Sequence, residues 1–314
     1  MQVSFVIPLY NCLSLTQAMV ASLQRSLPAG LSHEIILVDD GSTDGTREWL
    51  ATLSAPFRIV LNDRNLGYAA ANNRGASLAR GQFLALLNND LLLATGWLEP
   101  MLAAHRSLGA RAGLIGNVQV DARNGQVDHT GIFINLKGKP EHQRTFPDSF
   151  FHFFTKVYPA DAVTGACALL ERALWDQLGG FDEGYVNGCE DVDLCFRARA
   201  AGRINAVALR SRVKHFISSS VGRKRSDEVN TYRLTRRWQP ELARCAARRW
   251  CRHYFESSPL EPREHGYGFE LQIWLYAIGL LRTPPAKALA AMNAAIKLEL
   301  ARWEQLLGTP GGTN

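Results

Sequence analysis

The sequence predicts an α/β fold: a doubly wound, mostly parallel sheet followed by a helical C-terminal extension. Phe83-Leu84-Ala85-Leu86-Leu87 is an apolar run without alternation, the pattern of a strand covered on both faces. Similar short runs alternate with helical stretches of about 10–15 residues in the first third of the chain, as parallel βαβ units do. Beyond residue 213 the pattern turns helical and basic, and the expected boundary lies between a domain of residues 1–225 and an extension of residues 226–314.

In order, Val3–Ile7 is an apolar, β-branched strand that Pro8 is expected to end, and Leu13–Leu27 a helix with Ser14 as its cap. Glu34–Val38 is a strand running into Asp39-Asp40-Gly41-Ser42-Thr43-Asp44-Gly45-Thr46, whose cap residues open a helix through Leu53. Arg58–Leu61 is a short strand, and Tyr68–Ala79 an Ala-rich helix that Gly81 stops. After Phe83–Leu87 the pattern changes. Residues 97–108 read as a helix and 113–136 as strands with a turn at Asn124-Gly125. Residues 137–159 have no period and are the expected loop or lid. Asp161–Leu170 reads as a strand with Gly165 inside it, followed by a helix to Leu178, a Gly-rich loop over 179–188, a helix over 190–201 and a strand over 207–213.

With 46% hydrophobic and 20% charged residues among 314, the chain has an ordinary globular composition. Six cysteines (Cys12, Cys167, Cys189, Cys195, Cys245, Cys251) show neither a C-x-x-C pair nor zinc spacing, and are read as reduced cytosolic thiols. The N-terminus lacks a basic region before its apolar run and reads as a first strand. No apolar run approaches the roughly 18 residues of a membrane span. The expected location is the cytoplasm, free or on the inner face of the plasma membrane. Net charge is +6, yet residues 203–252 hold 14 Lys/Arg against 3 Asp/Glu. Such a block suits nucleic acid, an anionic membrane or a phosphorylated substrate.

Carboxylates gather where strands end: Asp39 and Asp40, Asp90, then Glu190 and Asp191 at a helix start. Ligands of open α/β sheets bind at that edge. Asn88-Asn89-Asp90 suits a hard cation carrying phosphates, and is equally ordinary turn chemistry. Asp39 or Asp40 can hydrogen-bond a ribose or base, or cap a turn. Glu190 and Asp191 suit the helix dipole, and also fit a general base. His215 ends a strand before Ser218–Ser220 and the basic Arg223-Lys224-Arg225, which could close over a diphosphate. Neither a G-x-G-x-x-G nor a P-loop signature is present.

Several of these motifs recur in order and spacing. They are Val6-Ile7-Pro8-Leu9-Tyr10-Asn11, Val38-Asp39-Asp40-Gly41-Ser42-Thr43-Asp44-Gly45-Thr46, Asn65-Leu66-Gly67-Tyr68-Ala69-Ala70-Ala71-Asn72-Asn73 and Leu87-Asn88-Asn89-Asp90. Further on come Thr164-Gly165-Ala166-Cys167, Gly179-Gly180-Phe181-Asp182-Glu183 and Gly188-Cys189-Glu190-Asp191-Val192-Asp193-Leu194. Together, over roughly residues 3–220, they resemble the family 2 glycosyltransferases, and Asn-Asn-Asp most resembles their rhamnosyltransferase-like branch in bacterial surface polysaccharide synthesis.

The resemblance implies a GT-A fold and inverting transfer from a nucleotide-diphosphate sugar to a hydroxyl of a glycan or lipid-linked acceptor. It implies nucleotide-sugar contacts from Pro8, Tyr10, Asn11, Asp39, Asp40, Asn65, Gly67, Asn72, Asn88 and Asn89. It implies Mg²⁺ or Mn²⁺ on Asp90 with His215 as a second ligand, and Asp191 as catalytic base with Glu190 in support. Asn88 departs from the family, where many members carry Asp. Asp193 is expected to tolerate substitution better than Asp191. Alternative readings are a nucleotide-sugar-binding module without turnover, a nucleotidyltransferase and, from the basic block, a nucleic-acid binder. The Pro8-Leu9-Tyr10-Asn11 turn disfavours the nucleotidyltransferase, and no nucleic-acid partner is expected.

Beyond the resemblance, Pro240–Phe255 places Leu242, Ala246, Trp250 and Tyr254 on one helical stripe and Arg244, Arg248 and Arg252 on another. Such a helix either lies on an anionic membrane or packs its apolar stripe on protein.

Overall fold

The computed structural model describes residues 1–146, 156–216, 226–257 and 267–308. The chain opens as β1 (Val3–Leu9), α1 (Leu13–Ser26), β2 (His33–Asp39), α2 (Thr46–Leu50), β3 (Phe57–Leu61) and α3 (Tyr68–Leu78). Then β4 (Phe83–Leu87) enters parallel to β1, on the side away from β2. After β5 (Leu91–Leu92) and α4 (Leu98–Leu108) come β6 (Ala112–Asp121), β7 (Val127–His129), β8 (Ile132–Ile134), β9 (Pro140–His142), β10 (Val157–Pro159) and β11 (Cys167–Glu171). The unit closes with α5 (Arg172–Leu178), α6 (Glu190–Ala200) and β12 (Ile204–His215).

The strand order is β10-β12-β6-β11-β4-β1-β2-β3, with β5 on β12 and β7 on β6. The strands lack alternation because both faces are covered. Phe5, Ile7, Leu9, Ile35, Leu37 and Leu87 pack with Met19 and Leu23 of α1 and Met101 of α4. On the opposite face α3 lies so close that a Cβ on Gly75 would stand 2.5 Å from Val6. Each such Leu, Ile or Phe contributes about 1.5–3 kcal/mol on burial.

Local details differ from expectation for nonlocal reasons. Pro8 does not end β1. Leu9 O accepts from Asp40 N–H on the β2 side, so Pro8 faces β4, beyond the last pair Val6↔Leu86, where a missing N–H breaks no ladder bond. The helix after Asn11 is capped not by Ser14 but by Asp44, whose Oδ2 accepts Leu13 N–H at 2.9 Å. The helix opened by Thr46 stops at Leu50 rather than Leu53. The stretch read as a strand from Asp161 becomes one only at Cys167, and Gly165 lies in the turn before it. Of the expected lid, 140–142 pair with β8 and 157–159 with β12, while 147–155 lie outside the described residues. So does the basic loop of 217–225.

A polar pair sits at β7. His129, fully buried, has its Nδ1 at 3.1 Å from Nδ1 of His142, and its Nε2 has no hydrogen-bond partner. Burial, followed by the neighbouring His142 and His215, pushes the His129 pKa well below its usual range. The unfolded chain therefore takes this proton more readily than the folded one. His129 supports stability fully above about pH 6.5 and less as pH falls below it. Urea midpoints should drop on acidification from neutral to about pH 5, and His129→Gln should flatten that drop.

The chain divides into two compact units, residues 1–132 with 142–226, and residues 133–141 with 227–314. The expected boundary at 225 therefore omits a segment: 133–141 cluster with the C-terminal helices. Lys139 pairs with Glu299 at 3.0 Å and lies over the Trp303 ring, and Arg249 stacks on Phe133. These helices are α7 (Asp227–Ser257, kinked at Trp238 before Pro240), α8 (Tyr267–Ala277) and α9 (Ala286–Leu307). The stripe of 240–255 offered to a membrane is largely enclosed: Leu242 and Ala246 are fully buried, as is Cys251, while Arg244, Arg248 and Arg252 are exposed. Packing on protein therefore accounts for its apolar stripe. Among the described residues no helix is long and apolar enough to cross a membrane.

Candidate active site

The parallel registers Leu9↔Asp39 and Val6↔Leu86 bring three strand ends to one sheet edge. They deliver Tyr10-Asn11, Asp39-Asp40 and Asn88-Asn89-Asp90 side by side, where ligands of such sheets bind. Between β1 and β4 the ladder ends at Val6↔Leu86, short of these polar clusters.

The side expected to hold a nucleoside is more self-occupied than the sequence reading expects. Asp39 is fully buried, with Oδ2 accepting Arg47 Nε at 2.7 Å and both oxygens near Ser42 N–H at 3.3 Å. Asp40 accepts from Asn62 Nδ2 at 2.7 Å and from Leu66 and Gly67 N–H, both at 2.9 Å. Both carboxylates thus shape the walls: Asp39 holds the turn into α2, and Asp40 curls the 62–67 loop. Asn65 Oδ1 also takes the Gly67 N–H, where φ is +94°. Asn11 stands at φ +55°, bound to Thr43 N–H through Oδ1 and to Ser42 Oγ through its own N–H. Asn89 turns inward, donating to Thr16 Oγ1 at 2.9 Å. Asn72 is buried, donating to Tyr68 O with its Oδ1 unmatched. Tyr10, 51% exposed, offers an open ring.

The second cluster is tighter. Asp90 and His215 are both buried, and Asp90 Oδ1 lies 3.2 Å from His215 Nε2. The pairing His215↔Leu91 and the bond from Phe216 N–H to Asp90 O hold them there. His215 Nδ1 and Asn88 Oδ1 are buried without hydrogen-bond partners. Buried polar atoms are normally satisfied, so such orphans call for an explanation. Two cis ligands of an octahedral cation with bonds near 2.1 Å stand about 3.0 Å apart, close to the spacing of Asp90 and His215. Among the described residues no group of three or more His, Cys, Asp or Glu could hold a metal alone. A cation here would draw its remaining ligands from substrate oxygens and water.

The third cluster reaches the same edge because β11 runs antiparallel to β4. Its beginning therefore meets the end of β4: Asn88 N–H donates to Ala166 O at 2.8 Å. One residue earlier, Gly165 N–H donates to Asp191 Oδ2 at 2.8 Å, and Tyr68 OH donates to Gly165 O at 2.9 Å. A side chain at Gly165 would meet Tyr68 Oη at 2.9 Å and Asp191 Cβ at 3.4 Å. Asp191 Oδ1 accepts Val192 N–H, so the carboxylate is fixed at the start of α6. Glu190 is buried, its Oε2 accepting Gly188 N–H at 2.6 Å. It braces the loop in which Asn187 and Cys189 hold positive φ. Tyr68 and Gly165 position this carboxylate; the sequence reading gave them no role, although both lie in motifs that carry the resemblance and Gly165 interrupts an apolar stretch.

Asp193 is more enclosed than its place beside Asp191 suggests. Fully buried, it pairs through Oδ2 with Arg197 Nε at 2.8 Å, and Tyr185 OH lies 3.5 Å from Oδ1. Its burial and ion pair give it a structural role that the sequence reading did not assign. Asp193→Ala leaves the Arg197 guanidinium buried and should cost about 3 kcal/mol, read as a lowered denaturant midpoint with unchanged slope.

With this geometry in place, comparison with known proteins is decisive. The profile of glycosyl transferase family 2 matches residues 4–179. The chain belongs to that family. This family 2 chain is 29% identical over 270 residues to protein y4gI of Sinorhizobium fredii, covering 83% of its own length but 29% of that protein's. It is 28% identical over 210 residues to N-acetylglucosaminyl-diphospho-decaprenol L-rhamnosyltransferase of Mycobacterium tuberculosis, covering 60% of this chain and 68% of the relative. Its fold matches GalNAc-T7, whose crystal structure holds UDP, GalNAc and Mn²⁺, with a TM-score of 0.62 at 18% identity, covering 83% of this chain and 53% of that one. The mixed, mostly parallel sheet is the GT-A fold.

Proposed function

We propose that the chain is an inverting glycosyltransferase that moves a sugar from a nucleotide-diphosphate donor to a hydroxyl of a glycan or lipid-linked acceptor, in bacterial surface polysaccharide synthesis. One observation carries this reading. Two hydrogen bonds, Asn88 N–H to Ala166 O and Gly165 N–H to Asp191, tie the Asn88–Asp90 edge and the Asp191 carboxylate to the two adjacent residues of one turn. A single displacement needs this division, with a base on the acceptor side and charge stabilisation on the leaving-group side.

The nucleoside rests against Tyr10 and the loop edges that Asp39 and Asp40 hold in shape, while the diphosphate lies toward Asn88 and Asp90. Mg²⁺ or Mn²⁺ would be held by Asp90 and His215, supplying Lewis-acid charge beside the leaving diphosphate. Asp191 takes the proton from the acceptor hydroxyl. That oxygen bonds to the anomeric carbon as the bond to the diphosphate oxygen breaks, inverting the centre and releasing the nucleoside diphosphate. The rhamnosyl relative makes deoxyhexose donors the first to test.

A thermal-shift screen of nucleotide sugars, with and without Mn²⁺, tests the reading. A true donor at about 100 times its Kd adds roughly 2.7 kcal/mol of stability. Donor hydrolysis or transfer in the same mixture distinguishes an enzyme from a binder. If no nucleotide sugar stabilises the protein under either condition, the reading fails.

A further inference from the structure

Apart from Glu270 and Gln272, α8 is apolar and has no distinct polar face, a pattern that belongs to a helix covered all round. One face is covered within its own unit. Ile273, Tyr276 and Ala277 are buried, Tyr276 OH donates to Arg244 O at 3.1 Å, and Arg248 lies over the Tyr276 ring. The opposite face is open. Leu271, Trp274 and Ile278, spaced i, i+3 and i+7, are 55%, 49% and 51% exposed, and Leu280 just beyond the helix is 69% exposed. Three large apolar side chains in one stripe, extended by a fourth, form a patch of the kind that marks an interaction surface.

The rim of this patch decides what covers it. Arg248, Arg252 and Arg282 are exposed cations toward the C-terminal end of α8, and the exposed Lys287 lies over the Phe269 ring in its first turn. Arg252 Nε donates to Ala277 O at 3.3 Å, and Arg248 lies beside Gly279. The helix itself contributes a single acid, Glu270. A second copy docked through the same face would set these cations against each other. An anionic lipid surface complements them, and tryptophan is at home at the headgroup boundary. With 11 residues, α8 is about 16 Å long, far short of a roughly 30 Å hydrocarbon core, so it would lie in the plane of the interface.

We propose that α8, through Leu271, Trp274, Ile278 and Leu280 with the Arg248/Arg252/Arg282/Lys287 rim, is the site by which this chain docks on an anionic membrane surface. The proposal stands independently of the sugar-transfer reading, because binding to vesicles is scored without donor or acceptor.

The test is co-sedimentation of the full chain with phosphatidylcholine vesicles, with and without phosphatidylglycerol, at low and high salt. Binding is expected only with phosphatidylglycerol and should weaken with salt. Trp274→Gln combined with Leu271→Gln should lower the partition coefficient at least about tenfold. Both side chains are exposed, so the thermal midpoint should be unchanged, which separates lost docking from lost folding. Arg282→Gln with Lys287→Gln removes two charges and should lower partitioning about 30-fold, at about 1 kcal/mol per charge. Absence of binding to anionic vesicles, or equal binding by the apolar double variant, overturns the proposal. So does sedimentation velocity showing a dimer that Trp274→Gln dissolves, since the cover is then a second copy.

Discussion

Asp191→Asn is expected to lower kcat by about 10² to 10⁴ while leaving donor KM and metal affinity nearly unchanged. The substitution keeps size and one acceptor oxygen but removes the ability to take a proton. Its structural cost can be stated from the hydrogen bonds. Asp191 accepts Gly165 N–H on one oxygen and Val192 N–H on the other, so an amide must turn its NH₂ toward one of them. That mismatch should cost about 1–3 kcal/mol, visible as a lowered thermal midpoint but compatible with folding. The decisive readout is therefore the split: kcat collapses while the donor-induced thermal shift persists. Transfer at near wild-type rate would show that another group is the base. Loss of both folding and donor binding would show Asp191 to be a cap for the Gly165 turn and no more.

The strands were legible because burial on both faces writes itself as unbroken apolar runs, as in Phe83–Leu87, and because polar clusters stand where each run ends. Direction is not written that way. The stretch from Asp161 to Leu170 carries one hint of a turn, Gly165, and nothing that says it runs antiparallel as β11. Yet this reversal sets Asp191 beside the Asn88 edge. Nonlocal partners were equally hidden. Asp44 caps a helix 31 residues earlier, and Asp40 holds a loop 22–27 residues later. For each residue the sequence showed the chemical type, not the partner. Amphipathicity had the same limit in the C-terminal helices. The stripe of 240–255 declares an apolar partner, and only the packing shows that the partner is protein, while the open apolar face belongs to α8, which has no polar side to advertise it.

Asp90→Ala should abolish the Mn²⁺-dependent part of donor binding. Asp90 is the one carboxylate of its cluster, 3.2 Å from His215, and a hard divalent cation depends on that anionic oxygen far more than on a neutral amide. Asn88→Ala removes a buried carbonyl oxygen that has no hydrogen-bond partner in the protein, and should weaken the same term by less. The measurement is the donor-induced thermal shift with Mn²⁺ minus that without it, so that any change in basal stability from stripping His215 of its neighbour cancels. If wild type is read at about 100 times its Kd, the shift corresponds to roughly 2.7 kcal/mol. A hundredfold weaker variant at the same concentration retains about 0.4 kcal/mol. His215→Ala should fall between the two, because an imidazole nitrogen is a weaker partner than carboxylate for Mg²⁺ and an acceptable one for Mn²⁺. Equal losses from Asn88→Ala and Asp90→Ala would make the amide oxygen a full ligand. An Asp90→Ala protein that keeps its whole Mn²⁺-dependent shift would remove the cation from this edge.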